Sequence, residues 1–148
     1  MRPAVNVVFM KMAQDLMERV IPAISPTYHQ GTIGMIATML LSVAEEWDRV
    51  ASRRVEENRS IRDIFRKASP VVHKPDLAKR LKELAETKDE DLHISALENS
   101  NCTLRAALID LHVHIESQQG KDARAIEDAI WKELAASTER RRFSTASF

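Results

Sequence analysis

Very little in this sequence interrupts a helix. Among 148 residues there are three glycines and five prolines, together about 5% of the chain against roughly 12% in average usage. With so few breakers, long helices are expected. Three glycines also cannot build a phosphate-cradling loop. The single cysteine, Cys102, excludes an internal disulfide and any multi-cysteine zinc site. No sign of charge dominates: 22 basic and 22 acidic residues cancel, which argues against a dedicated nucleic-acid binder. Long hydrophobic runs are missing too. The most apolar stretch, Ile33 to Ala44, is 12 residues long, whereas a membrane span needs about 20. Lys11, Asp15, Glu18 and Arg19 interrupt the N-terminal segment, so neither an export leader nor a membrane partner is expected. The expected location is cytoplasmic.

What remains is 44% hydrophobic and 30% charged, enough to bury a core. Val5, Val8, Phe9, Met12, Leu16 and Val20 recur at helical spacing and predict a first helix from about Pro3 to Ile21, ended by Pro22 and Pro26. From Met35 to Ala68 neither glycine nor proline occurs. A helix over Thr27 to Ala68 would either run unbroken, crossing solvent through the polar stretch Ser52 to Ser60, or break near Asn58. High propensity favours continuity. Ser69 to Pro75 reads as a linker. A short helix follows to about Thr87, then one from about Asp91 to Gln118, then one carrying Ala123, Ile126, Ile130 and Leu134 on one face. The expected fold is therefore all-α: a bundle of about five helices, one very long. It would form a single domain over residues 1–137, with a flexible basic tail over 138–148.

The sharpest pattern lies in the fourth of these helices. Ile94, Leu97, Asn101, Leu104, Leu108, Leu111 and Ile115 are spaced 3, 4, 3, 4, 3, 4. Leucine at d with one asparagine at a is the composition of a parallel two-stranded coiled coil, flanked here by His93 and Glu98. The same stripe would equally serve packing within one chain. If it is a self-association seam, Asn101→Leu should raise stability and loosen oligomer choice.

Metal-capable groups concentrate at Asp110, His112, His114 and Glu116. His112 and Glu116, four apart, share a helix face; with Glu45 and Glu46 from the long helix they are the candidate metal ligands. Helical bundles assemble metal sites from such groups on facing helices. Ordinarily Glu45 and Glu46 would pair with Arg49 or Arg53 along their own helix. No Ser/His/Asp or Cys/His arrangement supports nucleophilic catalysis, and no cofactor is implied. Charge is segregated despite its zero sum: residues 49–67 carry seven bases and three acids, residues 76–116 five bases and nine acids. Such blocks predict contact between the long helix and the later ones, within one chain or between two. The alternative use of Arg59, Arg62 and Arg66, binding nucleic acid, would make binding strongly salt-dependent.

Ala44-Glu45-Glu46-Trp47, Arg54-Val55-Glu56-Glu57-Asn58 and Leu104-Arg105-Ala106-Ala107-Leu108-Ile109, followed by Leu111-His112, resemble segments of small all-helical bacterial proteins that accompany aminoglycoside-phosphotransferase-like kinases and acyl-CoA dehydrogenases. The resemblance covers roughly residues 1–118. It implies an accessory role beside a small-molecule kinase and carries over no catalytic residue. The functional expectation is thus a non-enzymatic, homodimeric interaction protein with an enzyme as partner. The alternative is a metal- or ligand-binding helical enzyme using Glu45, Glu46, His112 and Glu116.

Overall fold

The computed structural model describes residues 3–25 and 27–144, and every regular element among them is a helix. Helix α1 (Val5–Asp15) continues through a π-helical segment (Leu16–Val20) into a last turn, α2 (Ile21–Ala23). Pro22 does not end this helix as expected. It sits inside the last turn, and the ladder before it widens, so that the Ile21 N–H reaches back to the Leu16 carbonyl. A proline has no N–H and crowds the carbonyl four residues earlier, and a π turn is one way a helix absorbs that misfit.

Helix α3 (Thr27–Ala68) runs 42 residues without interruption. Continuity through Asn58 is what the propensity of its Arg- and Glu-rich middle favours. Pairs along the helix support it: Arg49 with Glu45 at 3.0 Å and Arg54 with Glu57 at 2.9 Å. Arg66 and Lys67 in the last turn suit its negative end. The chain then turns through Pro70, with the Val71 and Val72 amides donating to the Ala68 carbonyl. Helix α4 (Pro75–Ala85) opens on a proline, whose missing N–H costs nothing in a first turn. Its exposed last carbonyls are met by side chains: Thr87 Oγ1 donates to Leu84, and Arg66 Nη2 to Ala85. Helix α5 (Ile94–Glu116) and helix α6 (Lys121–Arg140) are joined through Gly120. At φ 130° that residue takes a backbone conformation open to glycine but strained for a side chain.

The chain divides into two compact units, one formed by the described residues of Met1–Val50 and Phe143–Phe148, the other by Ala51–Arg142. In the larger unit four helices enclose one core. Ile61, Ile64, Phe65 and Ala68 come from α3; Leu77, Leu81 and Ala85 from α4; Leu104, Leu108, Leu111 and Ile115 from α5; Ala123, Ile126 and Ile130 from α6. In the smaller unit α1 and the first half of α3 lie antiparallel. Ile21 meets Gly34, while Asn6 and Met10 line a cleft with Leu41, Ala44 and Asp48. Among its described residues the only buried hydrophobic ones are Ala13, Ala37 and Ala44.

The segment expected to be a tail is structured as far as it is described. Thr138 to Arg140 complete α6, the Arg141 guanidinium reaches Glu57, and the Ser144 amide donates to Glu45. The rest of that predicted tail, residues 145–148, lies outside the described residues.

Candidate functional site

The heptad stripe of α5 is taken up inside its own chain. Leu97, Asn101, Leu104, Leu108, Leu111 and Ile115 are all buried, none more than 5% exposed, and only Ile94 at the helix start stays open. These side chains offer no surface to a second copy. The flanking pair expected across an interface is also used locally: Glu98 binds Arg54 at 2.5 Å, and His93 contacts Asp91.

Asn101 has a specific partner set that a coiled-coil reading does not supply. Its Nδ2 donates to Asn58 Oδ1 at 2.9 Å and lies 3.3 Å from Glu57 Oε2. Glu57, 1% exposed, is the centre of a polar network. It accepts two bonds from Arg141, at 3.0 and 2.9 Å, one from Ser137 at 2.8 Å and one from Arg54 at 2.9 Å. Burial alone would raise its pKa. The donors from Arg141, Ser137 and Arg54, with the Arg141 charge, outweigh that and lower it to about 2. One turn further along α3, Arg62 binds Asp89 through two bonds of 2.8 Å and also reaches Thr87 and Ser100. The Arg62 bonds hold the Asp89 carboxyl below its usual range, against the opposing effect of burial. Here the basic block of α3 meets the acidic block within one chain. Every carboxylate oxygen of Glu57 and Asp89 accepts at least one hydrogen bond, so the network fixes the register of α3, α5 and α6.

The smaller unit shows the reverse arrangement. Val5, Val7, Val8, Met10, Met12 and Met17 of the first helical segment are exposed, as are Tyr28, Met35, Ile36, Met39, Val43 and Trp47 of α3. On α3, Thr32, Ile36, Met39 and Val43 follow 4, 3, 4 spacing, bordered by Met35 and Trp47. That row points away from Ala37 and Ala44, the residues buried in this unit. Residues 20–44 contain no Asp, Glu, Lys or Arg. The hydroxyls on this segment are turned inward on their own helix: Thr32 bonds to the Tyr28 carbonyl, Thr38 to Gly34 and Ser42 to Thr38. Such back-bonding satisfies the hydroxyl locally, leaving a face with neither charge nor polar demand.

Glu45 closes this unit. Its carboxylate accepts the Ser144 N–H at 2.9 Å and the Ser144 hydroxyl at 2.8 Å, and pairs with Arg49 at 3.0 Å. The Ser144 amide is the main reason its pKa is lowered. The Arg49 guanidinium stacks over the Phe143 ring at 5.1 Å, and Glu46 lies 3.8 Å from Arg49. Glu45 and Glu46 are thus held by neighbours in their own unit, as the ordinary reading of those residues expects, and are not among the groups gathered with His112.

What does gather with His112 and Glu116 is Glu127 of α6. One donor atom from each of the three lies within 4.8 Å of the others. Sequence reasoning missed Glu127; the available signal was a carboxylate at the edge of the α6 apolar stripe, next to Ile126. Asp110 and His114 face elsewhere, Asp110 pairing with Arg80 at 2.6 Å and His114 with Gln118 at 2.7 Å. The chain matches no protein-family model, no curated protein and no solved structure.

Proposed function

We propose that this chain is a non-enzymatic interaction protein that pairs with a second copy of itself through the apolar face of its N-terminal helical hairpin. One observation carries the reading: among its described residues the smaller unit buries three alanines as its hydrophobic interior and exposes twelve large hydrophobic side chains. Exposed apolar side chains in such number point to an interaction site. A second copy is the occupant favoured by charge. A two-fold interface sets a patch against itself, so any charge near its axis would meet its own like. The row Thr32, Ile36, Met39 and Val43 belongs to a segment free of charged residues from 20 to 44. Two hairpins joined on that row would supply the four helices of a bundle, with side chains at 3 and 4 spacing interlocking. No helix among the described residues is long and apolar enough to cross a membrane. The accessory role implied by the resemblance would then belong to the dimer.

The test is the mass of the full chain in solution, by light scattering or sedimentation, for the unaltered protein and for Ile36→Glu and Val43→Glu. A dimer is expected, converted to monomer by either substitution. Val113→Glu, at a still more exposed apolar position of α5, should leave the dimer intact. A monomeric starting protein, or a dimer indifferent to both changes in the hairpin, would overturn the reading.

A further inference from the structure

Three groups on α5 and α6 are placed as ligands without being employed as anything else. His112 and Glu116 share one face of α5, and Glu127 comes from α6, with donor atoms within 4.8 Å of one another. His112 Nε2 is shielded from solvent and makes no hydrogen bond. Its nearest acidic neighbour is Glu116 Oε1 at 3.5 Å. The edge of a tetrahedron with metal bonds of about 2.0–2.1 Å is roughly 3.3 Å, so this pair already stands near ligand spacing. The imidazole is held in orientation by Trp131, edge-on at 5.2 Å between ring centres and 84° between planes. Among the described residues neither Glu116 nor Glu127 has a Lys or Arg partner. Other carboxylates of this unit do have one, as at Glu57, Asp89, Glu98 and Glu133. Two carboxylates brought together without a basic side chain repel each other unless a cation lies between them.

We infer that His112, Glu116 and Glu127 bind one divalent first-row transition-metal ion, which ties α5 to α6. The donor set, one imidazole nitrogen and two carboxylate oxygens, suits Zn²⁺, Mn²⁺ or Co²⁺ and lacks the thiolates that would select soft ions. Three protein ligands leave at least one coordination position to water. This site is independent of the hairpin face: it belongs wholly to the larger unit, and its failure would leave the dimer reading untouched.

The experiment is titration of the full chain, purified and stripped with a chelator, first with Zn²⁺ by calorimetry and then with Co²⁺ by fluorescence. In the fluorescence arm Trp47→Phe leaves Trp131 as the remaining indole. The expected results are one Zn²⁺ per chain and a Trp131 emission that falls with Co²⁺ and saturates at one equivalent. His112→Ala and the isosteric Glu127→Gln should each weaken binding at least tenfold and abolish the quenching, with unchanged helical circular dichroism. His114→Ala and Glu45→Gln should bind as the parent does. No stoichiometric binding, or binding that survives both His112→Ala and Glu127→Gln, would overturn the assignment. So would binding lost in His114→Ala.

Discussion

The two units of this molecule are built from the same material, amphipathic helix, and reach opposite ends. In the larger unit α3, α4, α5 and α6 enclose Phe65, Leu81, Leu104 and Leu111, and Glu57, Asn58 and Asn101, buried with them, are hydrogen-bonded within the unit. In the smaller unit the antiparallel hairpin closes on alanines and turns its methionines, valines and Trp47 outward. A two-helix unit has one shared face, so a second apolar face on either helix has nothing in the unit to cover it. The larger unit has a core of large buried side chains, and the hydrophobic residues buried among the described residues of the smaller one are alanines.

That contrast can be broken or sharpened by substitution. The largest effect should be Phe65→Ala, which empties the centre of the larger core and should cost about 3–5 kcal/mol in urea denaturation. Met39→Ala, on the open face, should change the stability of the isolated monomer by less than about 0.5 kcal/mol. Equal costs at the two positions would erase the distinction.

Next in size is Glu57→Ala. Removing the carboxylate takes the acceptor from the buried Ser137 hydroxyl and one partner each from Arg54, Asn101 and Arg141, and should cost about 3 kcal/mol, read from the same denaturation. The pH dependence follows from the sign of the shift. Because folding lowers the Glu57 pKa from 4.5 to about 2, its stabilisation is complete above the unfolded value. It is lost as pH falls from that value through about 2. Stability should therefore fall more steeply between those limits in the parent than in Glu57→Gln, which has no carboxyl to titrate there and should show a flatter profile, the two converging toward the lower limit.

Asn101→Leu should cost about 1–3 kcal/mol, since it leaves Asn58 Oδ1 buried without its donor. This sign is opposite to the one expected for a coiled-coil seam, so a stabilised variant would restore that view of α5. The smallest effect is Gly31→Ala. No atom lies within 4 Å of the added methyl, and the helix should gain up to about 1 kcal/mol. A loss of self-association in this variant, with the monomer stabilised, would place a neighbouring helix against Gly31.

The all-helical fold was legible because it depends on local chemistry. Pro75 opening α4, Gly120 before α6 and the breaker-free stretch from Met35 to Ala68 each act within a turn or two. Pro22 was misread, since a proline signals an end, and whether the ladder can widen around it depends on packing. Asn101 shows a different limit. One polar residue in an apolar stripe looks the same whether it faces another chain or Asn58 and Glu57 of its own. The polar stretch Ser52 to Ser60 suggested solvent, yet Glu57 and Asn58 are among the most buried residues; the Glu57 partners Ser137 and Arg141 are about eighty positions away, and the Asn58 partners Asp89 and Asn101 are 31 and 43 away. His112 and Glu116 were visible as one face of α5. Glu127 was not, because its place beside them depends on how α6 docks.

The central claim is that the hairpin face is half of an interface, and sedimentation equilibrium of the full chain beside Ile36→Glu tests it most directly. A dimeric parent and a monomeric, fully helical variant are the predicted result. A parent that remains monomeric at high concentration would contradict it.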